Sequence, residues 1–293
     1  MPKASLANPE PLPLIEALCR RYPTLPRALW EARCAGDEVR DANGAPLGAQ
    51  VLMPRGSTVW YSRADDEPVI PYAHAILYAD EDLLVVDKPH FLPVLPAGRY
   101  RTQTLLARLR AETDNPQLVP LHRIDRETAG LMLFSRRPDT RDAYQALFRE
   151  RRVLKRYLAR APALPALTFP YEHASRIERA PSGFPMVEID GEANAFTRIE
   201  VVARDSETWT YALYPHSGRM HQLRVQMAGL GAPLLHDRWY PELLGDAPDD
   251  PARPLQLLAQ GLSFIDPLSG LPRSFASQLA LSFAASGSAP AGL

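Results

Sequence analysis

Two short, unbroken apolar runs, Leu83-Leu84-Val85-Val86 and Leu131-Met132-Leu133-Phe134, constrain the fold of this chain more than any other feature. Runs of this length and composition, bounded by polar turn residues, predict buried strands rather than helices. The first stops at Asp87-Lys88-Pro89, where Pro89 must break the ladder. The second is delivered by a polar loop from His122 to Gly130. Apolar residues at 105, 106 and 109 predict a short helix over 104–112. Tyr144, Leu147 and Phe148 mark one side of another, with Asp139 as its expected cap. Extended segments are expected over 153–159, 196–203 and 208–214. Leu223, Met227 and Leu230 then mark a helix that runs out at Gly229-Leu230-Gly231. Strands and helices mix without βαβ alternation. The expected class is therefore α+β, a mixed and largely antiparallel sheet with flanking helices.

The front of the chain reads differently. Prolines punctuate residues 1–27 around a short helical piece at 14–18, and residues 29–61 form short extended pieces with turn signals. Asn43-Gly44 is the clearest of these and predicts a hairpin turn with positive φ at both residues. A small α+β module is thus expected within 1–72, with 63–71 as linker. A main domain over 73–285 and a flexible tail over 286–293 follow. At 293 residues and 46% hydrophobic content the chain can bury a core of that size. No run approaches 18 apolar residues, so no membrane helix is expected, and the N-terminus lacks the apolar segment of a signal peptide. Cys19 and Cys34 cannot build a disulfide framework or a zinc site by themselves. A cytoplasmic monomer is the expectation.

Chemistry concentrates in two clusters. In His122-Arg123-Ile124-Asp125-Arg126-Glu127-Thr128-Ala129-Gly130, basic and imidazole groups surround Asp125. Opposite charge favours the ionised carboxylate, which can act as a nucleophile or stabilise developing positive charge. A loop salt-bridge cluster is the plain structural alternative. In His216-Ser217-Gly218-Arg219-Met220-His221-Gln222-Leu223-Arg224, Gly218 permits a tight turn before a helix, and His221 and Arg224 share a face. His216 and His221 lack a partner set for a metal, so none is expected. Although the formal net charge is −1, residues 136–160 hold nine basic against three acidic side chains, a local net of +6. Phosphate contacts need such a stripe rather than an overall excess. The acidic stretch 241–252 is expected to face away from a polyanion.

Four ordered motifs resemble those of the RluA-type RNA pseudouridine synthases. "LLVVDKP" resembles the family's opening strand and "HRIDRETAGLMLFS" its catalytic-aspartate motif. "VLKRYLA", with Tyr157 placed 32 residues after Asp125, resembles the tyrosine motif; "HSGRMHQLRVQMAGLGAPLLHDRWY" is similar to the segment that supplies the active-site arginine. The resemblance covers about 76–240. It implies Asp125 as the catalytic aspartate, Tyr157 as the ring stacked on the target uracil, and Arg224 as the partner of Asp125. His122, Arg123, Arg126, Thr128, Gly130, Lys155, Arg219, His221 and Gln222 are implied as substrate-binding. The implied partner is RNA, ribosomal ahead of transfer RNA, and an isomerisation needs no cofactor. Whether Asp125 attacks the sugar or abstracts a sugar proton stays open. Ala129, Met220, Gln226 and His236 depart from the family pattern and bear on substrate choice. The front module faintly resembles an S4-type RNA-binding module, although its helical candidate carries only Arg27 and Arg33 against Glu31. Two other readings compete: a silent RNA-binding paralogue, and a glycoside hydrolase that would need Glu127 as its second acid.

Overall fold

The computed structural model describes residues 3–6, 10–23, 25–61, 67–181, 185–244 and 248–281. It divides into two compact units, Met1–Asp66 and Glu67–Leu293. The first unit contains β1 (Lys3–Ser5), β2 (Leu12–Pro13), α1 (Leu14–Arg21), α2 (Arg27–Ala35), β3 (Val39–Arg40), β4 (Leu52–Met53) and β5 (Thr58–Tyr61). Strands β1, β5 and β3 form one small sheet, and β2 pairs with β4. Leu14, Leu18, Trp30, Val39 and Val59 form its core. Arg27 is ion-paired with Glu16 and Glu31, while Arg33 is buried over the Trp30 ring. The Asn43-Gly44 turn differs from expectation. Only Gly44 has positive φ, because Asp41 closes the turn by accepting from the amides of Asn43 and Ala45.

The second unit contains β6 (Ala75–Ala79), β7 (Leu83–Lys88), α3 (Leu105–Glu112), β8 (Val119–Pro120), β9 (Ala129–Ser135), α4 (Pro138–Arg149), β10 (Leu154–Pro162) and β11 (Tyr171–Arg179). It continues through β12 (Met186–Ile189), β13 (Ala195–Arg204), β14 (Thr208–Pro215), α5 (Gln222–Gly229), β15 (Leu257–Ile265) and β16 (Pro272–Ala276). One 11-stranded sheet runs β12-β11-β13-β14-β10-β15-β9-β7-β6, with β16 added to β15 and β8 to β9. Among the described residues β9–β15 is its one parallel pairing. The mixed, mostly antiparallel α+β sheet expected from the sequence is present.

The two apolar runs pair antiparallel, Leu84 opposite Phe134 and Val86 opposite Met132. Helices cover both faces of that pair, which is why the runs show no alternation. Leu84, Val86, Met132 and Phe134 pack on Leu105 and Leu109 of α3. Leu83, Val85, Leu131 and Leu133 pack on Tyr144 and Leu147 of α4. Helix α4 starts one residue before Asp139, with Pro138 in its first turn; Asp139 is a first-turn acid rather than the cap. In the other half of the sheet, Leu223 and Met227 of α5 pack on Ala159, Ile199 and Leu213.

The division falls at 66/67 rather than 72/73. Half of the stretch read as linker is stitched into the second unit, where Ile70 is buried against α3 and Arg108 donates to the carbonyls of Ile70 and Tyr72. The tail expected over 286–293 lies outside the described residues. Both cysteines are free, and no described helix is long and apolar enough to cross a membrane.

Candidate active site

Asp125 stands on the loop between β8 and β9, and the loop's shape begins with Lys88. This lysine ends β7, is fully buried, and donates from Nζ to the carbonyls of Pro89 (2.8 Å), Leu92 (2.9 Å) and Arg126 (3.0 Å). Burial pushes its ammonium down to about 7 against the pull of Glu127 and Asp125. The Thr128 amide closes the turn on the Asp125 carbonyl. His122 anchors the loop's other end, its ring stacked on Phe148 and its Nε2 accepting from the Leu133 amide at 3.1 Å. That bond places the imidazole proton on Nδ1. Burial, and secondarily the charge of Lys155, pushes His122 down to about 3.

Arg224 projects from α5 and is 1% exposed. Nε and Nη2 fork onto the buried Asp237 at 2.7 and 2.6 Å, and Trp239 lies 4.5 Å from the guanidinium carbon. This leaves Nη1 aimed at Asp125 Oδ2, 3.3 Å away, with Glu127 at 3.6 Å. His221, in the left-handed region at φ 55°, precedes the helix. Its Nδ1 lies 2.9 Å from the Tyr240 hydroxyl and its Nε2 3.9 Å from Asp125 Oδ1. Burial lowers His221, with Asp125 opposing. Tyr157 is half-buried on β10, just past a register shift between Arg156 and Tyr157. Burial, reinforced by the Asp125 carboxylate, holds its phenol well above the usual tyrosine value.

His122, Asp125, Tyr157, His221 and Arg224 line a cleft of about 730 Å³. Arg123 is exposed on it with no side-chain partner among the described residues, while Arg219 is exposed and reaches the Asn194 carbonyl at 3.5 Å. Lys155 donates to the Ser217 carbonyl at 2.7 Å; burial and Arg151 push it down to about 8. Thr128 and Gln222 touch the cleft but are buried. Gln222 braces the loop before α5, donating to the Phe196 carbonyl and accepting from Ser217 Oγ and the Arg219 amide. Gly130 is not on the cleft. Its φ is +110°, and a Cβ there would lie 2.3 Å from the Ala259 carbonyl oxygen, so its role is to let β15 approach β9. Asp237 was missed in the sequence. Its only signal was its place beside Arg238 and Tyr240 in the last motif.

The basic segment is not a continuous stripe. Arg136 donates to the Asp80 carbonyl, Arg137 pairs with Glu81, Arg141 donates to the Gln117 carbonyl, and Arg156 is taken by Gln260. Arg152 pairs with Glu150 at 2.9 Å. Arg149, Arg151 and Lys155 are the members that reach the cleft. The acidic stretch does not all face away either, because Asp249 turns in to pair with Arg126. Among the described residues no group of three or more His, Cys, Asp or Glu side chains could hold a metal ion.

Comparison with known proteins identifies the class to which this sheet and cleft belong. The family profile of RNA pseudouridylate synthases matches residues 82–229. The dual-specificity RNA pseudouridine synthase RluA of Salmonella typhimurium is 33% identical over 68% of this chain and 90% of its own. An uncharacterized RNA pseudouridine synthase of Synechocystis is 30% identical over 78% and 79%, respectively. The solved structure of human RNA pseudouridylate synthase domain containing 4 superposes with a TM-score of 0.55 at 26% identity, covering 71% of this chain and 88% of that one. The chain belongs to the RluA-type RNA pseudouridine synthases, isomerases that convert uridine to pseudouridine in RNA.

Proposed function

We propose that this chain isomerises a uridine of structured ribosomal or transfer RNA at Asp125, with Arg224 holding the carboxylate and Tyr157 holding the base. One observation carries the reading. Arg224 is immobilised by Asp237 on one side and presents its remaining nitrogen to Asp125 on the other, at the floor of a cleft. A loop salt bridge would have no need of a buried, bidentate anchor.

The reaction breaks the N1–C1′ bond, turns the uracil, joins C5 to C1′, removes the C5 proton and supplies one to N1. Asp125 either attacks C1′ or takes a proton from the sugar, and both routes begin from the carboxylate that Arg224 faces. Positive charge on the sugar as its bond breaks is stabilised by the same carboxylate, as in glycoside hydrolysis. Tyr157, its phenol held protonated, serves as a stacking platform rather than as the C5 base. Stacking of this kind contributes about 1–3 kcal/mol, comparable with the few kcal/mol that flipping the nucleotide costs. The "dual-specificity" of the Salmonella relative's name supports testing both RNA classes.

The test is pseudouridine mapping by carbodiimide adducts and reverse-transcription stops, on ribosomal and transfer RNA from cells with and without the gene. A stop should vanish in the deletion, return with the wild-type chain, and stay absent with Asp125→Asn. Restoration by Asp125→Asn would sink the assignment of the carboxylate.

A further inference from the structure

Arg126 directly follows Asp125, and its family motif implies a contact with substrate. Its side chain is already engaged. Nη1 donates to Asp249 Oδ1 at 2.9 Å and Nη2 to Asp249 Oδ2, a fork-on-fork pair. Nη2 also reaches the Tyr100 hydroxyl at 3.2 Å, and the guanidinium lies over the rings of Tyr100 (5.3 Å) and Phe91 (5.8 Å). Glu127 stands 3.6 Å from Nη1, and only 23% of the Arg126 side chain is exposed.

The groups that hold it are themselves held. Tyr100 belongs to a loop whose following amides, at Arg101, Thr102 and Gln103, all donate to the Glu67 carboxylate at 2.6–3.1 Å, joined by the Thr102 hydroxyl. Those bonds hold Glu67 at about 2, so the clamp on the loop stays charged at any working pH. On the backbone side, the Arg126 carbonyl accepts from the buried Lys88. The residue next to Asp125 is therefore fixed by main chain and side chain from separate parts of the fold.

We propose that Arg126 is a positioning residue for Asp125, clasped by Asp249 and Tyr100, and not a phosphate contact. The inference rests on the reading of Asp125 as the catalytic carboxylate. The loop that carries Asp125 lies outside the strands that flank it, so its placement depends on such side-chain anchors. Displacing a reacting group by about 1 Å can slow chemistry on the order of a hundredfold.

The experiment uses the full chain on ribosomal and transfer RNA labelled with 5-tritiated uridine, prepared from cells lacking the gene. Tritium release at saturating enzyme reads the loss of the C5 hydrogen, and filter binding of the same RNA at several salt concentrations reads phosphate contacts. Arg126→Gln should slow saturating release tenfold or more, on the order expected for a misplaced group, and leave the salt slope unchanged. Asp249→Asn and Tyr100→Phe should each slow it several-fold, and the Arg126→Gln/Asp249→Asn double variant should be no slower than Arg126→Gln alone. These two milder variants also carry the test if Arg126→Gln does not fold. A salt slope reduced by about one with a wild-type saturating rate would make Arg126 a phosphate contact and overturn the clasp. Multiplying effects in the double variant would overturn it too. Asp125→Asn is run alongside: turnover by that variant defeats the reading of the site itself, whereas its loss together with a fast Arg126→Gln defeats only the clasp.

Discussion

Asp237 carries as much of the site as the residue it never touches. Its two oxygens take the Nε and Nη2 of Arg224, and neither side chain has more than 1% of its surface exposed. Removing one member of a buried ion pair leaves the other uncompensated, at a cost of about 3–5 kcal/mol. Asp237→Asn should therefore lower the stability of the second unit by that order in urea unfolding, and both Asp237→Asn and Arg224→Ala should abolish turnover. Normal turnover in Asp237→Asn would mean that Asp125 and Trp239 suffice to orient Arg224. His122 offers a second test at this scale, through pH. Its folded value near 3 lies below the ordinary value of about 6.5, so between them the unfolded chain binds a proton that the folded chain refuses. The stability this neutral histidine contributes is complete above about 6.5 and is lost as pH falls toward 3, at up to roughly 1.4 kcal/mol per pH unit. His122→Phe should flatten the wild-type decline in unfolding free energy between pH 7 and pH 5. An equal decline in both proteins would show that His122 is protonated in the fold. Asp125 and Arg224 were legible as candidates because charged residues crowd an otherwise apolar context. Asp237 was not, since pairing across thirteen residues of loop and helix leaves no local pattern.

At the level of elements, the legible strands were those with composition on their side. Strands β7 and β9 announce themselves as apolar runs, and α5 by its 3–4 spacing. Strand β11, Tyr171–Arg179, is largely polar on both faces, and β15 is interrupted by Gln260-Gly261, so neither gave a period-2 signal. Yet β15 is the central strand that joins the halves of the sheet, parallel to β9 and antiparallel to β10. Gly130 marks that seam. Alanine there would combine a positive φ with a Cβ driven into the β15 backbone. Gly130→Ala is expected to yield insoluble protein or to cost more than about 4 kcal/mol in unfolding free energy, which places it among the severe substitutions. A wild-type unfolding midpoint would show that β15 can shift away.

Across the whole catalytic unit, charge is distributed by pairing rather than by sequence density. The +6 of residues 136–160 shrinks at the cleft, because polar groups of other segments take Arg136, Arg137, Arg141, Arg156 and Arg160. Arg123 and Arg151 remain without side-chain partners among the described residues, and both line the cleft. Replacing both with glutamine should reduce the salt slope of RNA binding by about two, one for each phosphate no longer neutralised. The Arg152→Gln/Arg156→Gln pair should leave that slope unchanged, and a fall there would place the RNA on another face.

The grouping of Asp125, Tyr157 and Arg224 into one site was implied by the resemblance of their motifs to a family; what the sequence determined by itself was local and compositional: which apolar runs are strands and where the chemistry-bearing loop sits. Short-range patterning encodes those features, since burial periodicity and charge clustering are properties of neighbours in the chain. The tertiary structure alone decided which charges are free and which are spent. It set Arg126 between Tyr100 and Asp249, made Asp237 the anchor of Arg224, and put Gly130 at a seam between strands. Each of these depends on residues brought together from far along the chain, where an ion pair or a steric contact forms only after the backbone has folded.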